Sequence, residues 1–491
     1  MSLSKRLFRR AVRPATVGLG IGLSLAMMAG LSLANVSVKV VSHDPYTNTD
    51  AFHSTEVEPD THSFGTTIVS IFQIGRYSDG GADNVGYATS TNSGSTWTHG
   101  ILPSLTTFSN PPGIYKRATD PAIAYDPKHN VWMALTLDSQ SSFGFNGDAV
   151  SVSRSTDGGL TFGAPVTVTT TGVSLDSTWM SCDANASSPF YGNCYVEFDD
   201  FGAGAILKMM RSTDGGLTWT NSTAPSSTVI GGKPVSLPNG TVVVPIDTNP
   251  ISAVESFVST NGGASYTGPF SISSLTWHSV NGNMRSLPVP SAEVDASGKV
   301  YVAWHDCRFR SGCSANDIVM STSTNGTTWS AVTRIPIDPA NSGMDHFIPG
   351  LGVDPAATGH LGLVYYFYPV ANCTDTTCKP TVGFISSTNG GSTWGTALQL
   401  FGPMRNTGLP LTTSGYMFGD YNSVSYIGGL AHTVFAVAKG GSCTLGQVTS
   451  CKEVMASPVL GLAAMGGSHP AGTSAVLSVR SDGPSSLQSS R

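Results

Sequence analysis

The chain has 491 residues, of which only 11% are charged, with 56 glycines and 29 prolines. That composition argues against long solvated helices and suits a turn-rich β protein whose polarity comes from Ser, Thr, Asn and Gly. Residues 1–34 hold five of the 25 Lys and Arg and none of the 31 Asp and Glu, so the remainder carries a formal charge of −11, which argues against nucleic acid or an anionic membrane surface as partner.

Residues 1–34 read as a signal peptide. Lys5, Arg6, Arg9, Arg10 and Arg13 precede an apolar run from Val17 to Leu33, and Ser32 and Ala34 supply small residues for cleavage. The competing reading is an uncleaved anchor, and a membrane is a partner only in that case. A single domain is expected over 35–460. Residues 461–491 are Gly/Ser/Pro-rich and are expected to be partly disordered.

One signature recurs six times: Ser90–Trp97, Ser155–Phe162, Ser212–Trp219, Ser259–Tyr266, Ser323–Trp329 and Ser387–Trp394. Successive copies start 47 to 65 residues apart, which marks a repeat architecture with loops of unequal length. The second repeat is the clearest. Strands are predicted at Ala122–Tyr125, Val131–Leu137, Ala149–Ser155 and Pro165–Thr170, with the signature as the last turn. Later repeats supply second strands at Thr241–Ile246, Val300–Trp304 and Leu361–Tyr368. Their third strands are Ser252–Ser259, Ile318–Thr322 and Val382–Ser387. A further copy lacks the signature but keeps Asn422–Tyr426, Leu430–Ala438 and Glu453–Ser457, and Val36–Val41 could supply its missing outer strand. The fold class is therefore all-β, a β-propeller of four-stranded antiparallel blades, with seven blades favoured and six the alternative.

The signature has a physical basis. Its Asp or Asn accepts backbone N–H groups within the turn, and its glycines take positive φ. The closing aromatic buries apolar area between outer strands. The fifth copy is one residue short, so a looser turn is expected there.

Eight cysteines fall into four close pairs: Cys182/Cys194, Cys307/Cys313, Cys373/Cys378 and Cys443/Cys451. With an export signal they read as disulfides; the spacing is not that of a metal knuckle, and neither a metal nor another cofactor is expected. Three of the pairs fall in loops between the second and third strands of their repeats.

The eight-residue signatures resemble the Asp boxes, or BNR repeats, of the sialidase superfamily, over a ring from about Thr55 to Ser457. The resemblance implies the propeller fold, with the boxes on a rim away from the active site. Sialidases of the family carry an F/Y-R-I-P motif near the start. Here the one Arg-Ile-Pro is Arg334–Pro336, after the fifth box and on an expected fourth strand, so no catalytic residue transfers by motif. The resemblance implies a secreted or cell-surface, sialidase-like glycoside hydrolase with a carbohydrate substrate. The alternative is a non-catalytic propeller that binds glycan or protein ligands. A monomer is expected.

Strand order places function opposite the boxes, on entries to first strands and on loops between second and third strands. Entry positions are Asp120, Lys233, Asp420, Tyr421 and Glu58, with Asp345 and His346 just before another. The loops add Arg76, Asp79, Glu197, Asp199, Asp200, His305, Asp306 and Arg308. Arg285 and Arg405 lie on connections between repeats. Carboxylates ringed by arginines suit a glycosidase acting on an anionic sugar. Arg285, Arg308 and Arg405 are the expected carboxylate binders, with Asp420 and His346 beside them. Tyr421 is the expected nucleophile assisted by Glu197, and Asp120 or Asp306 the acid/base. Structural alternatives stand beside each: Asp120-Pro121 as a turn former, Asp306 and Arg308 as a salt-bridged loop, Tyr421 as core, Glu197–Asp200 as a calcium loop or solvated edge.

Overall fold

The computed structural model describes residues 36–466, apart from Asp375 and 444–447, together with the backbone of the short pairs 469–470 and 488–489. The segments expected as signal peptide and C-terminal tail lie outside or mostly outside these residues. Among the described residues no helix is long and apolar enough to cross a membrane.

The fold is all-β, a succession of antiparallel meanders. The first runs Glu56–Phe64, Thr67–Arg76, Ala82–Ser90 and Thr98–Ile101; the second Arg117–Asp126, Val131–Ser139, Ala149–Ser155 and Val166–Thr169. The third runs Leu175–Cys182, Cys194–Asp200, Ile206–Ser212 and Thr220–Asn221. In the fourth the first strand is broken, and Val229–Ile230 and Val235–Ser236 both pair with Val242–Thr248. The fifth and sixth start at Ser291–Val294 and His346–Val353. The last is assembled from both ends of the chain: Val38–Val40 pairs antiparallel with Glu453–Pro458, which pairs with Phe435–Ala438. The N-terminal segment thus supplies the outer strand that the sequence lacked there.

Second strands such as Val131–Ser139 are buried throughout, because each is covered by sheets on both faces. The core is accordingly not one mass but a set of layers between neighbouring meanders. One layer joins Val131, Met133 and Leu135 to Val196 and Phe198. Another joins Ala303 and Met320 to Leu361 and Leu363.

The six boxes form the turns before the fourth strands. In the second, Asp157 Oδ1 accepts from Leu160 N at 3.1 Å and Thr161 N at 3.0 Å, and Ser155 Oγ accepts from Gly159 N at 2.9 Å. In the shortened fifth box, Ser323 Oγ reaches Gly326 N one residue earlier, at 2.8 Å. Boxes also bond to the preceding meander: Gly215 O accepts from Arg154 Nε at 2.7 Å, and Gly326 O from Ser256 Oγ at 2.7 Å. In the first box, Ser95 O accepts from Lys39 Nζ of the N-terminal strand at 2.9 Å. Thr61 N donates to Ser423 Oγ at 2.6 Å, which ties the first meander to the last.

All four disulfides form with the expected pairing. Cys307–Cys313, Cys373–Cys378 and Cys443–Cys451 brace loops between second and third strands. Cys182–Cys194 spans the turn between the first two strands of the third meander, on the box side.

Candidate functional site

The first strands of the meanders line a common axis, and their entries carry a repeated irregularity. Register shifts occur between Val57 and Asp60, Thr119 and Ala122, Asp176 and Trp179, and Phe347 and Gly350. Each holds a non-glycine residue at positive φ: Glu58 at 56°, Asp120 at 45°, Ser177 at 55° and Ile348 at 51°. A bulge re-aims one side chain, and strained backbone of this kind collects at functional sites. Proline follows three of them, in Glu58-Pro59, Asp120-Pro121 and Ile348-Pro349, and recurs in Lys233-Pro234 and Val289-Pro290.

Two axial cavities result. The entry cavity, about 100 Å³, is lined by Asp120, Asp176, Lys233, Arg285, Asp420 and Tyr421 among others. The second, about 320 Å³, lies further along the same strands toward the box side, and Lys233 and Tyr421 line both. The partition between them is aromatic and cationic. Lys233 Nζ sits 3.0 Å from the Trp179 ring centroid and 4.4 Å from that of Tyr421. The two rings meet edge to face at 4.9 Å.

The entry cavity is an electrostatic cluster. Arg285 holds Asp420 bidentately, with Nε to Oδ1 at 2.8 Å and Nη2 to Oδ2. Burial would raise the Asp420 carboxyl, but Arg285 outweighs it and keeps it ionised. Asp120 accepts from Ser177 N at 2.9 Å and Thr119 Oγ1 at 3.1 Å. Burial and then the Asp420 charge push Asp120 up. Burial and then Asp120 push Asp176 to about 7. Glu58 is raised by burial and by Asp120 and Asp420, against the opposing pull of Arg76 and Arg285. Glu58 accepts from Gln73, which also accepts from Arg76 Nη1 at 2.9 Å. Lys233 is drawn down to about 7 by burial, against the pull of Asp60, Glu197 and Asp120.

Of the residues expected from sequence, Asp120, Arg285, Asp420 and Tyr421 meet at this cavity. Tyr421 Oη donates to Pro121 O at 3.0 Å, and burial followed by the nearby carboxylates raises its phenol well above the ordinary value. Glu197 is fully buried behind Gly232, beside Asp199; burial raises it to about 8. Asp306 and Arg308 form a separate salt-bridged loop, with Arg308 Nη1 on Ser273 Oγ at 2.8 Å. Arg405 is exposed on the connection before the last meander. His346 is buried and stacked on Phe367 at 5.9 Å. It belongs to a cluster between the fifth and sixth meanders, where Asp317 and Asp338 pair with Arg310 and Arg334. Asp317, Asp338 and His346 lie close enough to hold a cation, but two guanidinium groups already occupy the carboxylates. Arg334, of the single Arg-Ile-Pro, is therefore a buried ion-pair residue on a fourth strand.

Sequence reasoning passed over Asp176 and Trp179. No proline follows Asp176, and nothing local marks it. The recurring X-Pro at first-strand entries was the available signal for the bulged positions on either side.

No protein-family model matches the chain, and no curated protein does. Among solved structures, a Hadza microbial sialidase is 18% identical, with 63% of each chain covered and a TM-score of 0.43. The chain thus spans less than two thirds of that protein. The phage phi92 endosialidase is 10% identical over 93% of this chain and 72% of its own, with a TM-score of 0.47. A Niastella koreensis GH74 enzyme is 19% identical over 81% and 52%, with a TM-score of 0.42. Likeness at this level says nothing of chemistry.

Proposed function

We propose that the protein is an exported, seven-bladed propeller and a sialidase-like glycoside hydrolase that works at the entry cavity. The observation that carries this reading is the pair Asp120 and Asp176 on one small axial cavity. Glycoside hydrolysis needs one carboxylic acid to protonate the leaving oxygen and a second carboxylate for the other face of the sugar. Asp176, held protonated to about 7 by burial and by Asp120, suits the acid. Asp120 suits the partner. Arg285, oriented by Asp420, suits recognition of a polar or anionic sugar. Tyr421 suits a floor better than a nucleophile, because its hydroxyl donates to a carbonyl and resists ionisation. Of Arg285, Arg308 and Arg405, Arg285 alone lines the cavity, so a three-arginine clamp built from them is not part of the proposal. The four disulfides support an exported protein.

A binding module is the second reading. It is favoured by the small entry volume, about 100 Å³, and by an Arg285 already paired with Asp420. A panel of fluorogenic glycosides, a sialoside included, separates the two. The expected outcome is turnover of one class, with Asp176→Asn and Asp120→Asn each lowering kcat by about a hundredfold or more. No hydrolysis across the panel, together with glycan-array binding, makes the protein a binding module.

A further inference from the structure

The larger axial cavity, on the box side, takes no part in the proposed function. Its volume of about 320 Å³ is of small-molecule size. Its floor is the layer of Lys233, Trp179 and Tyr421. Its mouth includes the turn after Cys182, braced by the Cys182–Cys194 disulfide. This is the one disulfide on the box side, and the turn it closes, 183–193, is longer than the other first-to-second-strand turns.

Three carboxyls line this space, Asp60, Glu293 and Asp295, together with the Lys233 ammonium. Asp60 is engaged by Ile123 N and Thr61 N, both at 2.8 Å, and by the charge of Lys233. Glu293 is half-buried; it accepts from the adjacent Val294 N–H, and the charged group that acts on it is Asp60, a like charge. Hydroxyl and amide side chains complete the wall, among them Ser236, Ser291 and Asn185. Lys233 is thus matched to Asp60, whereas among the described residues no cation acts on Glu293, and a carboxyl on a cavity with hydrogen-bonding walls is stabilised in its ionised form by a cation placed beside it.

We propose that this cavity is a second ligand site and that it takes a small cation bearing hydroxyls, of the amino-sugar class. The ammonium lies at Glu293, and the hydroxyls bond to Ser236, Ser291 and Asn185. The other titratable groups on the cavity are His62, Lys233, Asp295 and Tyr421; Lys233 faces Asp60, and the Tyr421 hydroxyl is held by Pro121 O. Burial lowers His62 to about 4, so it stays neutral. Asp295 is held by Ser297 and Tyr301. Burial and then Asp60 raise Glu293 to about 8, so an arriving ammonium displaces its proton at pH 7.

The site does not depend on the glycosidase reading. Calorimetry with glucosamine, and with glucose as the uncharged analogue, tests it on the full chain. Glucosamine is expected to bind one to one, at least about tenfold tighter than glucose. The heat at pH 7 is expected to vary with the buffer's ionisation enthalpy as a proton is released. Glu293→Gln is expected to lose about tenfold or more in affinity. Ala184→Trp, an exposed change at the mouth, tests the same site without altering its charges, and is expected to block binding. Asp176→Asn leaves glucosamine binding intact. Equal affinity for glucose, no binding to folded protein, or binding that survives both Glu293→Gln and Ala184→Trp overturns the proposal. Loss of binding in Asp176→Asn places the ligand in the entry cavity and overturns it equally.

Discussion

Tyr421 shows how a side chain's partners decide its chemistry. Its hydroxyl bridges the last and second meanders through Pro121 O, and Lys233 lies over its ring. Tyr421→Phe removes a buried donor and leaves that carbonyl without it, so a loss of about 1 kcal/mol is expected in urea unfolding. Under the proposed mechanism glycosidase turnover in this variant stays within about tenfold of the parent. A collapse of turnover with unchanged stability would return the nucleophile's role to Tyr421. Asp176 differs in kind: its proton is held by burial and by its neighbour Asp120, so under the proposed mechanism its contribution is to acid strength and not to packing.

At the scale of the element, the box is both a turn and a staple. Asp214 Oδ1 accepts from Leu217 N at 3.1 Å and Thr218 N at 3.0 Å, and Oδ2 accepts from Thr218 Oγ1 at 2.6 Å. The same box bonds to the preceding meander through Gly215 O and Arg154. Asp214→Ala is expected to cost about 1–2 kcal/mol, measured by chemical denaturation. Asp214→Asn is expected to cost much less, because Asn92, Asn261, Asn325 and Asn389 fill this position in other boxes and accept the backbone bond that Thr218 N makes here. Equal losses for Ala and Asn would mean that charge, not the acceptor, stabilises the turn. The box motif and its turn chemistry were legible in the sequence; its bonds to the preceding sheet were not, since Arg154 and Gly215 are 61 residues apart.

At the scale of the molecule, the inner surfaces hold more protons than an unfolded chain would. Burial leads the upward shift of Glu56, Glu197 and Glu293 to about 8, and of Asp138 and Asp176 to about 7. His53, between Asp44 and Asp83, is raised to about 9 because their carboxylates outweigh its burial. A raised carboxyl keeps its proton folded and loses it unfolded, so stability falls as pH climbs toward the folded value. For His53 the contribution is present below its unfolded value and is lost as pH rises through about 9. Histidines lowered by burial, His62 and His432 to about 4 and His305 to about 3, act only below about 6.5. Above that, Lys233, drawn down to about 7, opposes the trend from about pH 7, but the five raised carboxyls and His53 outnumber it. The melting temperature is expected to fall by several degrees from about pH 6.5 to 8.5, read by scanning fluorimetry. A flat or rising profile would show that these carboxyls are hydrated and ordinary.

The sequence by itself determined the all-β class, the repeat and its unequal loops, the four disulfide pairs and the candidate outer strand at Val36–Val41. These follow from local turn chemistry, alternation and spacing, which need no distant partner. It also placed Asp120, Arg285, Asp420 and Tyr421 on one face, because strand order sets which ends share a side. Only the tertiary structure decided which of these share a cavity. Asp120 and Asp420 are 300 residues apart, and their meeting depends on the last meander packing against the first and on bulges at first-strand entries. For the same reason Arg308 and Arg405 could not be told from Arg285 by sequence, although one pairs with Asp306 and the other is exposed. The box side, empty of candidates in the sequence, holds the larger axial cavity, because first strands of successive meanders converge there to leave a space that no single repeat encodes.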